Sequence, residues 1–220
     1  MSKRASLLVD LDGTIVEPAA GIIGSVRHAL NELGVAPKPG DDLRWVIGPP
    51  LRSVLPKIGV PADQVERGVA LYREKYTGGL MYDAEVYDGM REALSALRDD
   101  GFRMFICTSK PHVYARKIAA HFGVLEFFEE LHGAELDGVR DNKGDLIAWM
   151  LALYGIEPDD AIMIGDTPFD VEGARQNGVR CVGVSWGHGQ ERLAAANPAA
   201  ICDQPADLLD AVRRLAREPA

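Results

Sequence analysis

The sequence predicts an α/β protein built on a parallel sheet, and three observations lead there. Four short apolar runs read as strands buried on both faces: "ASLLVD" (Ala5–Asp10), "FRMFICTS" (Phe102–Ser109), "AIMIGD" (Ala161–Asp166) and "RCVGVSW" (Arg180–Trp186). Helical patterns separate the later runs, as a sheet covered by helices requires. Between the first and second runs, from about Val16 to Tyr82, the chain shows helical periodicity without a convincing strand, which makes this stretch a helical insertion.

Along the chain, the first run ends in two aspartates, Asp10 and Asp12, followed by Gly13 and Thr14. Ile23, Val26, Leu30 and Leu33 fall at helical spacing inside the insertion, as do Val65, Val69, Tyr72 and Tyr76, so both tyrosines are expected in its core. Its edges are the turn at Glu17-Pro18 and the stretch around Gly78-Gly79, giving a core of residues 1–15 and 83–220 and an insertion of residues 16–82. Asp88 is expected to cap a helix bearing Met90, Ala93, Leu94 and Leu97 that stops at Gly101. A second core helix runs from Val113 to Phe122 and stops at Gly123. A third places Leu146, Ile147, Met150, Leu151 and Tyr154 on one stripe before Gly155, and the last follows Pro205 with Leu208, Leu209, Val212 and Leu215.

Composition narrows the function. The 220 residues are 47% hydrophobic and 26% charged, ordinary for a globular chain, and the formal charge of −9 argues against a nucleic acid or an anionic membrane as principal partner. Cys107, Cys181 and Cys202 are odd in number and form no C-x-x-C pair, so neither a disulfide framework nor a structural zinc site is expected. The apolar run from Ala5 to Val9 is too short for a signal peptide or a membrane span, and a cytoplasmic location is expected.

Polar residues collect at the carboxyl ends of the strands, where open α/β sheets bind ligands: Asp10 and Asp12 after the first, Thr108 and Ser109 at the second, Asp166 after the third. Three converging carboxylates need a cation among them, and an oxygen-only ligand set favours Mg²⁺. An aspartate oxygen can attack phosphorus and split hydrolysis into two displacements, which makes Asp10 the candidate nucleophile. Asp12 is placed to protonate the leaving oxygen and then activate water. Gly13 lets the backbone turn close to a phosphate, and Thr14, Thr108 and Ser109 can donate to its oxygens. Lys143 follows Asp141-Asn142, good helix caps, so it stands in a first helical turn where the dipole disfavours a cation, a broken local rule that points to function. In "GDTPFD", Asp166 is a metal candidate and Asp170, one turn on, can orient Lys143 or a metal-bound water.

Taken together, "DLDGT", Thr108 in "ICTSK", Lys143 in "DNKGD" and "GDTPFD" resemble, in order and spacing and over the whole chain, the four motifs of the haloacid dehalogenase-like phosphohydrolase superfamily. The resemblance implies a Rossmann-like, doubly wound parallel-sheet core with a small inserted α-helical cap that closes on the substrate. It implies nucleophile Asp10, acid/base Asp12, phosphate-binding Thr108 and Lys143, and Mg²⁺ held by Asp10, the Asp12 backbone carbonyl and Asp166 with Asp170 in support. The dehalogenases lack an acid at the position of Asp12, so the likeness is to phosphatases, and within them to phosphoglycolate phosphatase-like proteins and related nucleotidases. The pieces carrying that narrower likeness are "GPPLRS" (Gly48–Ser53), "TSKP" and "GAELDGVRDNKGDLI". It further implies that the Gly48–Ser53 loop reaches the active site with Arg52 on the substrate, a small phosphorylated metabolite.

Several alternatives stand beside these readings. Lys110 is either a phosphate ligand or a solvated loop lysine, the five histidines form no ligand-like cluster, and Trp186, Gly187 and His188 after the last strand either line the site or pack, with packing favoured. Cys107 is no C-x₅-R nucleophile, because Val113 stands where the arginine would be. No G-x-x-x-x-G-K-[ST] or G-x-G-x-x-G occurs, which removes the usual NTP and dinucleotide fingerprints. A sugar phosphomutase, a phosphotyrosine phosphatase and a non-catalytic phospho-acceptor module remain as competing functions; a monomer or a homodimer is expected.

Overall fold

The structure, a computed structural model, describes residues 5–217. The chain before Ala5, on which the expectation about a leader partly rests, lies outside the described residues. In chain order the elements are β1 (Ser6–Val9), β2 (Val16–Glu17), α1 (Ala19–Glu32), α2 (Leu51–Ile58), α3 (Val65–Thr77), β3 (Glu85–Val86), α4 (Met90–Asp99), β4 (Arg103–Pro111) and α5 (His112–His121). There follow β5 (Glu130–Ala134), α6 (Lys143–Tyr154), β6 (Ala161–Gly165), α7 (Pro168–Gln176), β7 (Arg180–Val184), α8 (Gln190–Ala195), β8 (Ala200–Cys202) and α9 (Leu208–Leu215). The chain divides into two compact units, one ending at Glu17 and resuming at Val86, the other spanning Pro18–Glu85.

The first unit is a six-stranded parallel sheet in the order β5-β4-β1-β6-β7-β8. From the central β1 the chain winds first to β4 and β5 on one side and then to β6, β7 and β8 on the other, the Rossmann-like doubly wound arrangement. The middles of its central strands are apolar: Leu7, Leu8, Phe105, Ile106, Ile162, Met163 and Ile164 are fully buried. Leu8, Phe105 and Met163 pack against Leu146, Ile147 and Met150 of α6 and Val171 and Ala174 of α7, so the stripe read on the third core helix is buried as a layer. Register then sets the site: Val9 is level with Ile106 on one side and Ile164 on the other, so the residues that follow emerge together at one edge.

Two strands of this sheet escape the apolar-run criterion, as do the two-residue strands β2 and β3, which pair with each other. β5 reads "ELHGA" and occupies a sheet edge, where half-exposed positions tolerate Glu130 and His132, and β8 at the other edge has three residues. Asp88 does not cap α4. The cap position is Gly89 in a left-handed conformation (φ 77°), which an aspartate would adopt at a cost. Asn142 does cap α6, accepting hydrogen bonds from the backbone N–H groups of Gly144 and Asp145.

The second unit is helical. α1 and α3 run where the periodicity put them, Tyr76 is 2% exposed, and Tyr72 stacks on it with ring centroids 5.2 Å apart. α2 starts at Leu51, directly after the Pro49-Pro50 corner, and is too short to show a helical period in sequence.

Candidate functional site

Asp10 and Asp12 leave the end of β1 on a tight turn in which the backbone N–H groups of Thr14, Ile15 and Val16 all point to the Leu11 carbonyl. At Gly13 the turn takes φ +80°, and a Cβ there would lie 2.3 Å from Asp166 Oδ2. Gly13→Ala therefore meets both a backbone penalty and a carboxylate. It is expected to lower stability by about 1–3 kcal/mol and to dislodge Asp166, read as a lower denaturation midpoint and weakened divalent-cation binding. An unchanged midpoint with unchanged cation binding would contradict this geometry.

Lys143 resolves its own anomaly. Its side chain is 3% exposed, and its ammonium lies 2.9 Å from Asp10 Oδ1, 2.8 Å from Asp170 Oδ1 and 2.9 Å from the Cys107 carbonyl, to which it donates. Burial alone would lower its pKa, but Asp10 and Asp170 outweigh burial and the helix dipole, and the net shift is upward. Asp170 is fixed in turn by a capping box at the start of α7, where its Oδ2 accepts from the Thr167 N–H at 3.0 Å and the Thr167 hydroxyl at 2.7 Å. One oxygen of Asp170 thus serves the helix and the other faces Lys143.

Asp12 has a different cation. Lys110 Nζ sits 2.6 Å from Asp12 Oδ2, with both side chains largely buried, so Lys110 is not a solvated loop lysine but stands in the site beside Asp12. β4 makes room for it: pairing with β5 shifts register between Thr108 and Pro111, and the Thr108 hydroxyl accepts from the Lys110 N–H at 3.2 Å. Thr108 is 2% exposed and Ser109 half-buried beside it; Thr14 is fully buried, its hydroxyl 3.4 Å from Asp166 Oδ1.

Asp10, Asp166 and Asp170 bring one carboxylate oxygen each within 4.8 Å of one another, all three buried. Burial raises Asp10 to about 6, Lys143 partly offsetting it while Asp170 and Asp12 push further the same way; burial and the neighbouring Asp170 and Asp10 raise Asp166 well above the usual range. Asp10 Oδ1 and Asp170 Oδ1 share the single Lys143 ammonium at ion-pair distance, and Asp12 Oδ1 is buried with no donor. Crowded, buried carboxylates with no sulfur or imidazole among them fit a hard, oxygen-seeking cation such as Mg²⁺.

The loop for which packing was the favoured reading and lining the site the alternative also belongs here. After β7, Trp186 donates its indole N–H to the Thr14 carbonyl at 3.1 Å, and the His188 backbone N–H donates to Asp166 Oδ2 at 2.7 Å. A four-residue stretch such as "WGHG" is too short to give a periodic signal, and its two glycines are the one feature that could have pointed to a close backbone approach. Arg52 belongs to the helical unit, where its guanidinium forks onto both Glu66 oxygens at 2.6 and 3.0 Å. The three cysteines are buried, and burial pushes the Cys107 thiol up to about 12 and Cys202 to about 11, so neither supplies a thiolate at neutral pH.

Residues 7–184 match the haloacid dehalogenase-like hydrolase family. A 5'-nucleotidase of Pseudomonas aeruginosa is 39% identical over 199 residues, 90% of each chain, and a phosphoglycolate phosphatase of Caulobacter vibrioides is 31% identical over 85% of this chain and 81% of that one. Among solved structures, a predicted phosphatase from Clostridium acetobutylicum superposes with a TM-score of 0.90 at 32% identity, covering 96% of this chain and 100% of the other. The motif order, the buried carboxylates around Lys143 and these matches agree, and this chain belongs to the haloacid dehalogenase-like hydrolase family.

Proposed function

We propose that this chain is a Mg²⁺-dependent phosphomonoesterase that acts on a small phosphorylated metabolite through an aspartyl phosphate on Asp10. The observation that carries the reading is the separation of two neighbouring carboxylates by their partners. Asp10 is set against the ammonium of Lys143, which it shares with Asp170, whereas Asp12 is paired with Lys110. Two carboxylates held in different environments are what a nucleophile and a proton carrier need.

Asp10 and Asp166, with the Asp12 backbone carbonyl, would hold the metal, and Asp170 supports the site by fixing Lys143. When bound, Mg²⁺ neutralises charge on the transferring phosphoryl group. In the first displacement an Asp10 oxygen attacks phosphorus, the ester P–O bond breaks, and the leaving oxygen takes a proton from Asp12, which enters this step protonated and released from its ion pair with Lys110. In the second, Asp12 takes a proton from water as that water attacks phosphorus, and the bond to Asp10 breaks to release inorganic phosphate. Lys143 stays charged throughout and orients Asp10, while Gly13, Thr14, Thr108 and Ser109 surround the phosphoryl oxygens. Arg52 serves as a substrate contact by exchanging Glu66 for an anionic group of the substrate.

Phosphoglycolate is the first-choice substrate, and the 39% identity to a 5'-nucleotidase favours nucleoside 5'-monophosphates as the second reading. The test is inorganic phosphate release with Mg²⁺ from phosphoglycolate, nucleoside 5'-monophosphates, sugar phosphates and phosphotyrosine. Turnover of one class that EDTA abolishes is the expected result. Background rates throughout, from protein that binds Mg²⁺, would overturn the phosphatase reading. Among the described residues no helix is long and apolar enough to cross a membrane.

A further inference from the structure

The loop after β7 is pinned at both ends and in its middle. Ser185 takes the Cys202 carbonyl with its N–H at 3.0 Å and the Asp203 carboxylate with its hydroxyl at 2.7 Å. Trp186 is tied to the Thr14 carbonyl and meets the Tyr87 ring edge-on at a centroid distance of 6.4 Å. His188 Nε2 lies 3.1 Å from Glu17 Oε1, and the Tyr87 hydroxyl donates to Glu17 Oε2 at 3.0 Å. A carboxylate only accepts, so Nε2 carries the hydrogen and Glu17 collects two donors from separate parts of the core.

The loop is also pressed onto Asp166. A Cβ at Gly187 would lie 2.3 Å from the Gly13 carbonyl and 2.4 Å from Asp166 Oδ2, and one at Gly189 would lie 1.8 Å from the Asp166 carbonyl. Between these glycines stands His188, whose backbone N–H donates to Asp166 Oδ2 at 2.7 Å, leaving Oδ1 with a long 3.4 Å contact from Thr14. The side chain of His188 is anchored away from Asp166 while its main chain grips it.

We propose that His188, through its side-chain hydrogen bond to Glu17, is a positioning residue that holds its own backbone N–H on Asp166 Oδ2 and so pre-sets Asp166 as a cation ligand. Residues behind a ligand that fix its orientation typically alter metal affinity about 10–100-fold when lost. Glu17 and Tyr87 complete the device, because Tyr87 fixes the carboxylate that fixes His188. The inference rests on the reading of this cluster as a Mg²⁺ site.

The test is calorimetric titration of the substrate-free protein with Mg²⁺, read beside activity at varied Mg²⁺. His188→Ala is expected to weaken Mg²⁺ binding about tenfold, with most of the activity loss recovered at saturating Mg²⁺. Glu17→Gln should weaken it in the same direction. His188→Gln, which can present an N–H at nearly the same place, should stay within about threefold of wild type. Arg213→Ala, which breaks a distant ion pair with Asp100, is the control for general destabilisation and should leave Mg²⁺ affinity unchanged. Wild-type affinity in both His188→Ala and Glu17→Gln overturns the inference alone, as does equal weakening in Arg213→Ala. Absence of Mg²⁺ binding in the wild type overturns the metal reading together with it.

Discussion

Asp10→Asn is expected to abolish turnover and leave the fold standing. Asparagine keeps the volume and an oxygen for Lys143 but loses the anionic oxygen that must bond to phosphorus. Removing a covalent nucleophile from an assembled site costs on the order of 10⁴–10⁶ in kcat. Stability moves independently. Burial, with Lys143 as partial compensation, leaves the Asp10 carboxyl at about 6 against an ordinary value of 3.8, so ionising it costs more in the folded protein than in the unfolded chain. That cost is present above the folded value and vanishes below the unfolded one. Metal-free Asp10→Asn should therefore be at least as stable as wild type at pH 8, the difference fading as pH falls through 6 towards 4. Denaturant midpoints at two pH values, with phosphate release alongside, measure both. Activity within tenfold of wild type would end the aspartyl-phosphate mechanism.

Much of this was readable in the chain, and physical reasons separate what was from what was not. Central strands such as "AIMIG" are buried on both faces, so burial writes itself into composition; the edge strand "ELHGA" is buried unevenly, and its polar residues conceal it. Asp10, Asp12 and Asp166 stood out as candidates because they follow apolar strands at the sheet edge that binds ligands, and Lys143 because a cation in a first helical turn breaks a local rule. Lys110 was a candidate whose partner was not legible, since a lysine at the end of a strand has no sequence signature that distinguishes solvent from a carboxylate 2.6 Å away. His188 was hidden for a further reason: its contact with Asp166 is made by a backbone N–H, which every residue but proline carries.

Lys143→Met should lose both activity and stability, the opposite stability sign from Asp10→Asn in the same cluster. The ammonium is the shared partner of Asp10 Oδ1, Asp170 Oδ1 and the Cys107 carbonyl, at 2.9, 2.8 and 2.9 Å. Methionine fills the channel left by the lysine stem but returns none of those contacts, so the substitution tests charge rather than volume. Removing one partner from a buried ion pair costs about 3–5 kcal/mol, because the other charge is left behind in a site already crowded with carboxylates. The Asp10 carboxyl, with its main compensating charge gone, moves further above 6, so less of it is ionised at neutral pH and less can act as nucleophile. Added Mg²⁺ should recover part of the stability, since a cation among the carboxylates relieves the same repulsion, without restoring the rate. Lys143→Met with a wild-type denaturation midpoint and kcat within tenfold would show that Asp10 does not depend on this cation. The paired result, stability kept in Asp10→Asn and lost in Lys143→Met, distinguishes a charge-balanced catalytic cluster from a structural ion pair, for which either deletion leaves an unpaired buried charge and both should destabilise.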